Sequence, residues 1–173
     1  QKLAWSQVQA LAATAEGLGH ASLALAIRVG FWSLQREGDL LQMTRFKWRT
    51  LEALDPRDRP ALADHRGDVK GFRLRQLKTG AWIDAPLPAW LHAEVEAAFD
   101  RSQWLLPDPL DPVQPMPAWR LQRQARAALD AAGLSIYQFR DLRRSGMSWL
   151  KDHGALQSDV FAISGHPVLG GKR

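Results

Sequence analysis

The residues of this chain best suited to chemistry lie near its C-terminal end, in Phe-Arg-Asp-Leu-Arg-Arg-Ser at 139–145 and Ser-Gly-His-Pro at 164–167. Arg140 and Arg143 are three residues apart, and at that spacing on a helix their guanidinium groups can converge on one target. A guanidinium is planar, permanently charged and able to grip two oxygens at once, which suits a phosphate. His166 adds a donor that can also move a proton near neutral pH. Together these residues predict a site for phosphoryl transfer.

Two upstream segments carry cations that could serve the same site. Arg36 lies at the turn into a predicted buried helix, where Asp39 could hold it by accepting a hydrogen bond. Lys78 lies at the tip of a predicted β-hairpin, where a mobile side chain could reach over a bound ligand. Taken alone, Arg36 also fits a solvated surface arginine, and Lys78 an ordinary turn lysine.

The elements that must position these residues are mostly helical. Helical spacing of apolar residues predicts a first helix after Ser6, and others over 23–34, 88–99, about 118–132 and 139–150. Residues 72–77 and 81–86 predict two strands joined by the turn 78–80. Residues 45–71 are expected to be irregular, and 105–117, with five prolines, to be an extended connector. The expected fold is mainly α with a small antiparallel β-sheet.

Composition indicates one globular domain with an excess of positive charge. The 173 residues are 46% hydrophobic and 24% charged, a composition that indicates neither a disordered nor a fibrous chain. The net charge of +5 favours an acidic partner, most commonly nucleic acid, although a basic protein without that role fits the charge equally well. Arg120 and Arg123 on one predicted helix and Arg144 on another could track a DNA backbone, or could simply be solvated.

Several classes of site and location are excluded or disfavoured. Cysteine is absent, which excludes disulfides, thiolate metal sites and a cysteine nucleophile, and fits a reducing cytoplasm. The five histidines are dispersed without metal-ligand spacing, so neither a metal nor a cofactor is expected. No apolar run reaches membrane-spanning length, and the first residues lack the apolar stretch of a signal peptide.

Four motifs in order resemble those of the catalytic domain of tyrosine recombinases, the phage integrase family. Residues 33–41, Ser-Leu-Gln-Arg-Glu-Gly-Asp-Leu-Leu, are similar to the family's first-arginine motif, and Gln-Leu-Lys-Thr-Gly at 76–80 to its β-hairpin lysine. Arg-Asp-Leu-Arg at 140–143 stands at its His-x-x-Arg motif, and Gly165-His166 at its late Gly-His/Trp pair. The resemblance extends from about Ala4 to the end of the chain.

The resemblance implies a metal-free strand transferase acting on double-stranded DNA. In this family a tyrosine attacks the scissile phosphate and forms a 3′-phosphotyrosyl link. The implied roles are a phosphate clamp for Arg36 and Arg143 with Arg140 beside it, a further donor for His166, and a general acid for Lys78. Asp39 would orient Arg36. The resemblance also implies assembly with other protomers on DNA, no membrane, and a cytoplasmic protein of bacterial or phage origin.

Two departures from the family pattern leave alternatives open. Arg140 replaces the usual histidine, and an arginine is a poor general base. The family tyrosine should follow Gly165-His166 by about three helical turns, yet the only tyrosine is Tyr137, which is expected to pack in the core. In order of preference, residues 1–173 are a single catalytic-domain fragment without the core-binding domain and tyrosine segment, the tyrosine comes from another chain, or the protein binds DNA without cleaving it. A helical interaction domain with a chance motif match is the remote reading.

Overall fold

The computed structural model describes residues 1–52 and 62–166, and within them seven α-helices surround one small sheet. The prediction of a mainly α fold with a small antiparallel sheet is confirmed. No helix in these two ranges is long and apolar enough to cross a membrane. The helices are α1 (Trp5–Gly17), α2 (Ala21–Ser33), α3 (Glu37–Leu41), α4 (Ala89–Arg101), α5 (Ala118–Ala131), α6 (Asp141–Asp152) and α7 (Gln157–Ser164).

The sheet has three antiparallel strands in the order β1 (Trp48–Thr50), β2 (Lys70–Arg75) and β3 (Trp82–Pro86). The predicted hairpin is β2 and β3, with Arg75 opposite Trp82 next to the turn. Strand β1 and the start of β2 correct the prediction that 45–71 is irregular, since Trp48 pairs with Phe72. Residues 53–61 of that segment, which include Pro56 and Pro60, lie outside the described residues.

The proline-rich segment forms no helix, as expected, but the predicted start of the arginine helix is wrong. The helix was predicted from residue 139, whereas α6 begins at Asp141, and the Asp141 carboxylate accepts a 2.9 Å hydrogen bond from the backbone N–H of Gln138. Arg140 is therefore the N-cap residue and not part of the helical face that carries Arg143. Tyr137 packs against the core, in keeping with the expectation.

Helix α6 reaches the centre of the molecule because a glycine lets it cross α2 closely. The core cluster includes Leu23, Ile27 and Phe31 of α2 and Leu142 of α6. A Cβ on Gly146 would lie 2.0 Å from the carbonyl oxygen of Phe31, a backbone atom that cannot swing away. Glycine at this position therefore allows α6 to lie close to α2. It also determines how deeply Arg143, three residues earlier in the helix, is buried.

Gly146→Ala is expected to lower the free energy of unfolding by about 1–3 kcal/mol, the usual cost of overpacking against rigid neighbours. Gly17→Ala is the matched control, because a Cβ there meets no atom within 4 Å and Gly17 is helical. Alanine should leave stability unchanged or raise it at that site. Urea denaturation of both variants measures the difference. Equal stability of Gly146→Ala and the wild type would contradict the close crossing.

Candidate phosphate site

Arg143 lies in the first turn of α6 with its guanidinium half-buried and only partly hydrogen-bonded. Its Nη2 donates to the backbone carbonyl of Ser164 at 2.9 Å. Its Nη1 is buried and has no hydrogen-bond partner among the described residues. A buried donor without an acceptor is costly and uncommon, so it indicates a group that an absent acceptor would complete.

Arg36 is directed to the same place by a sharp turn at the end of α2. Leu34, fully buried, adopts a left-handed conformation with φ of 58°, which is unfavourable for a non-glycine residue by about 1 kcal/mol or more. Arg36 follows as the extended N-cap residue of α3. Its Nη1, like that of Arg143, is buried without a partner in the described part of the chain.

The positive charges of Arg36 and Arg143 interact electrostatically. Burial, followed by the charge of Arg36, lowers the pKa of Arg143 to about 10, while the carboxylate of Asp39 acts in the opposite direction. Arg143 is still charged at neutral pH. Two cations held together, each with a buried N–H that lacks an acceptor, favour the binding of an anion between them.

His166 completes the cluster with a defined tautomer. Its Nδ1 lies 3.3 Å from Arg143 Nη2 and 2.8 Å from Ser164 Oγ. Arginine can only donate, so Nδ1 is an acceptor and the neutral ring carries its proton on Nε2. Burial lowers the pKa of His166, and the charges of Arg143, Arg36 and Lys151 lower it further. His166 is thus a neutral hydrogen-bond donor at pH 7.

The titration of His166 is expected to report this cluster. In the free chain its pKa should lie below the ordinary 6.5, and Arg143→Met should raise it by removing a positive charge. Arg144→Met is the matched control, because Arg144 is exposed and is not among the groups that shift His166. NMR titration of the ring protons measures all three proteins. A His166 pKa above 6.5 in the wild type, or equal shifts in both variants, would contradict the arrangement.

The depressed His166 pKa also fixes the sign of a stability change. Below the unfolded-state pKa of 6.5 the unfolded chain binds a proton that the native site resists. The contribution of His166 to stability is therefore lost as the pH falls through 6.5 and then through the lower native pKa. Bound anion should oppose that loss, since it favours the imidazolium.

The hairpin turn is anchored to α3 by a hydrogen bond that the sequence did not predict. Asp39, 4% exposed, accepts a 2.9 Å hydrogen bond from the backbone N–H of Leu77, the residue before Lys78. No hydrogen bond or ion pair joins Asp39 to Arg36, both of which the structure describes. The prediction that Asp39 holds Arg36 by a hydrogen bond is corrected, since Asp39 instead anchors the turn. The Lys78 side chain is exposed and bonds to none of the described residues.

The remaining predicted arginines have varied surroundings. Arg140, Arg123 and Arg144 are exposed. Arg120 forms an ion pair with Asp108 and lies over the Trp119 ring at 4.8 Å from its centroid. It is therefore less free for a DNA phosphate than the sequence indicates. Within residues 1–52 and 62–166, no group of three acidic, histidine or cysteine side chains is placed to hold a metal ion.

Sequence reasoning missed Gln35, Gln76 and Ser164, which connect the segments carrying Arg36, Lys78 and His166. The side chains of Gln35 and Gln76 are joined by a 2.7 Å hydrogen bond, and Gln76 also donates to the Ser164 carbonyl at 2.9 Å. All three residues are at most 2% exposed. Their only signal in the sequence is proximity to the predicted catalytic residues.

Comparison with known proteins gives a fold but no sequence relative. No protein-family model and no curated protein matches the chain. The structure of the lambda integrase catalytic core superposes with a TM-score of 0.71 at 18% identity, covering 99% of this chain and 95% of that one. A lambda integrase dimer bound to a core site gives a TM-score of 0.72 at 17% identity, covering 98% of this chain and 46% of that one.

A second group of similar structures consists of Xer recombinases. XerH bound to its difH substrate gives a TM-score of 0.70 at 16% identity, covering 97% of this chain and 48% of that one. XerA gives 0.72 at 12% identity, covering 97% and 55%. The chain spans about half the length of these longer integrase and recombinase chains. At such identities the comparison establishes architecture alone: the chain has the tyrosine recombinase catalytic-domain fold.

Proposed function

We propose that this chain is the catalytic domain of a site-specific DNA recombinase of the integrase type, which transfers phosphoryl groups on duplex DNA without a metal or cofactor. The observation that carries the proposal is the pair of buried, unpartnered Nη1 groups of Arg36 and Arg143, with His166 beside them. The fold shared with DNA-bound integrases and XerH adds support for DNA as the substrate.

The proposed mechanism stabilises charge that develops on the scissile phosphate. Arg36 and Arg143 would bind the non-bridging oxygens, and His166 would donate from Nε2 to the same group. Such preorganised donors stabilise the transition state without reorganising during the reaction. Lys78, at the end of the anchored turn, would deliver a proton to the departing 5′-oxygen. Arg140 is exposed at the start of α6 and would contact a neighbouring phosphate.

The nucleophile is proposed to be a tyrosine that does not belong to residues 1–173. Tyr137 is the sequence's single tyrosine, it packs against the core, and its carbonyl accepts a hydrogen bond from Arg126. A tyrosine segment of the parent protein, or one donated by another protomer on DNA, would serve. The dimers and tetramers of lambda integrase on DNA make protomer assembly a reasonable part of the proposal. A cytoplasmic location in a bacterium or phage-infected cell would follow.

A nicked suicide duplex incubated with the full-length protein tests the proposal. Loss of the short 5′-hydroxyl strand after cleavage should trap a covalent 3′-phosphotyrosyl adduct, visible as a denaturation-resistant protein–DNA band. Residues 1–173 alone should bind the duplex without forming the adduct. Failure of the full-length protein to form any adduct on its own bound site would overturn the proposed chemistry.

The second candidate is a DNA-binding module that keeps the phosphate clamp but does not cleave. It is favoured by the location of Tyr137, which leaves the described part of the chain without a tyrosine at the cluster. Both candidates require DNA affinity that falls steeply with salt, because each phosphate contact releases counterions. Tight, salt-dependent binding without an adduct would select this module. Affinity independent of salt would exclude both and leave an interaction domain.

A further inference from the structure

We propose that Gln76 is a positioning residue that locks the lysine turn and the histidine segment into one unit. The inference rests on the proposed function, because it concerns how that site is held in register. Gln76 precedes Lys78 by two residues, and its partner Ser164 precedes His166 by two. Its other partner, Gln35, directly precedes Arg36. A single side chain therefore joins the segments of Lys78, Arg36 and His166, which are three of the four segments that carry the proposed cluster.

The hydrogen-bond directions in this network are fixed by backbone carbonyls. Gln35 Nε2 donates to the carbonyls of Ser33 and Ile163 at 2.6 and 2.7 Å, so its Oε1 must face Gln76. Gln76 Nε2 in turn donates to Gln35 Oε1 and to the Ser164 carbonyl. Neither amide can be flipped without setting oxygen against oxygen. Both –NH₂ groups use both of their hydrogens, so the network has one arrangement.

The network continues to the functional side chains at each end. Gln76 Oε1 accepts a 2.8 Å hydrogen bond from Thr79 Oγ1, which stabilises the turn around Lys78. The Ser164 carbonyl also accepts from Arg143 Nη2, and Ser164 Oγ contacts His166 Nδ1. Gln76 thus bonds directly to Thr79 in the lysine turn, and it is connected to Arg143 and His166 through Ser164.

The side chain of Gln76 is packed closely against Gly165. A Cβ on Gly165 would lie 2.1 Å from Gln76 Oε1, and Gly165 has φ of +74°. The close contact and the positive φ each favour glycine at this position. Gln76 is 1% exposed, which keeps water from replacing its partners. In a buried site each hydrogen bond is stronger than in water, and losing one leaves a stranded polar group. Gln76 is therefore suited to hold the lysine turn and the histidine segment in a fixed relative position.

Hydrogen exchange in residues 1–173 tests the link without DNA or catalysis. Gln76→Met keeps the length of the side chain but removes its donors and acceptor. It should speed exchange of the Leu77, Gly80 and Gly165 amides at least tenfold, with helices α1 and α2 unchanged. Gln42→Met is the matched control, since Gln42 is exposed at the end of α3. Exchange within twofold of that control, or faster exchange in the turn alone, would overturn the proposal.

A second variant keeps the test decisive if Gln76→Met does not fold. Thr79→Val removes a hydroxyl that donates to Gln76 Oε1 and accepts from the backbone N–H of Ala81. Thr79 is exposed, so the fold of this variant should survive. The same amides, including that of Gly165 across the network, should exchange at least threefold faster. Faster exchange confined to residues 77–81 would show a purely local role and overturn the link.

Cleavage by the full-length protein separates positioning from binding. Gln76→Met should lower the single-turnover rate at saturating DNA by about 10–100-fold, because small misplacements of catalytic groups have effects of this size, with the Kd for DNA within twofold of wild type. An unchanged rate would overturn the positioning role. Absence of cleavage in the wild type would refute the proposed function instead, and the exchange measurements would still decide the structural link.

Discussion

Arg143→Met is expected to abolish strand cleavage by the full-length protein while leaving the fold as stable as before, or more so. Removal of one preorganised donor from an oxyanion-type site costs roughly 10²–10³ in rate. Arg143 offers two N–H groups and a charge to the same phosphate, so the loss should be about 10³-fold or more. Methionine retains an apolar stem like that of arginine, which keeps the packing of α6 against its neighbours.

The expected sign of the stability change follows from the surroundings of Arg143. Burial and the charge of Arg36 lower its pKa from the ordinary value to about 10, so the native state binds this proton less tightly than the unfolded chain does. Stability is lost as the pH falls through the unfolded-state pKa and then through about 10, and at neutral pH the full destabilising effect of the charge is present. The Ser164 carbonyl would keep its hydrogen bond from Gln76, so the substitution strands no acceptor there.

Denaturation with and without an anion completes this experiment. Sulfate should raise the unfolding midpoint of the wild type and raise that of Arg143→Met much less, since an anion that binds only the native state stabilises it. Arg144→Met, on the same helix but exposed, should respond like the wild type. A variant that loses several kcal/mol of stability would show that Arg143 is a structural residue. A variant that still cleaves would show that the reaction does not depend on Arg143.

The sequence could predict those structural features that depend on residues close together in the chain. Apolar spacing located the long helices, and the Lys78-Thr79-Gly80 turn located the hairpin, because helices and tight turns are encoded within a few residues. Arg36 at a helix entry was located in the same way. Strand β1 was missed because its three residues are largely exposed and take their conformation from pairing with β2.

The contacts that organise the site could not be predicted, since they join distant parts of the chain. Gln76 bonds to Gln35, 41 residues away, and to Ser164, 88 residues away, and no local pattern marks such partners. Asp39 was assigned to Arg36, its neighbour in sequence, whereas the fold places the Leu77 amide against it. Likewise the helical pattern predicts Arg120 on a free basic face, but the proline-rich connector brings Asp108 to it.

Lys78→Ala is expected to lower cleavage of ordinary DNA by about 10²–10⁴-fold, the usual contribution of a general acid. The rate should return almost to the wild-type value when sulfur replaces the scissile 5′-oxygen. A thiolate leaves without a proton far more readily than an alkoxide, since a thiol is a much stronger acid than water or an alcohol. DNA affinity should change little, because an exposed lysine contributes one phosphate contact at most.

Two further variants decide whether Lys78 acts through its proton or only through its charge. Lys78→Arg keeps the positive charge but cannot release a proton, so it should be nearly as slow as Lys78→Ala on ordinary DNA and equally rescued by sulfur. Arg143→Met should not be rescued, because its defect lies at the non-bridging oxygens. Full activity of Lys78→Arg on the oxygen substrate would make Lys78 a charge contact. Equal rescue of Arg143→Met would place the two residues in one role and contradict the assignment of Arg143 to the non-bridging oxygens.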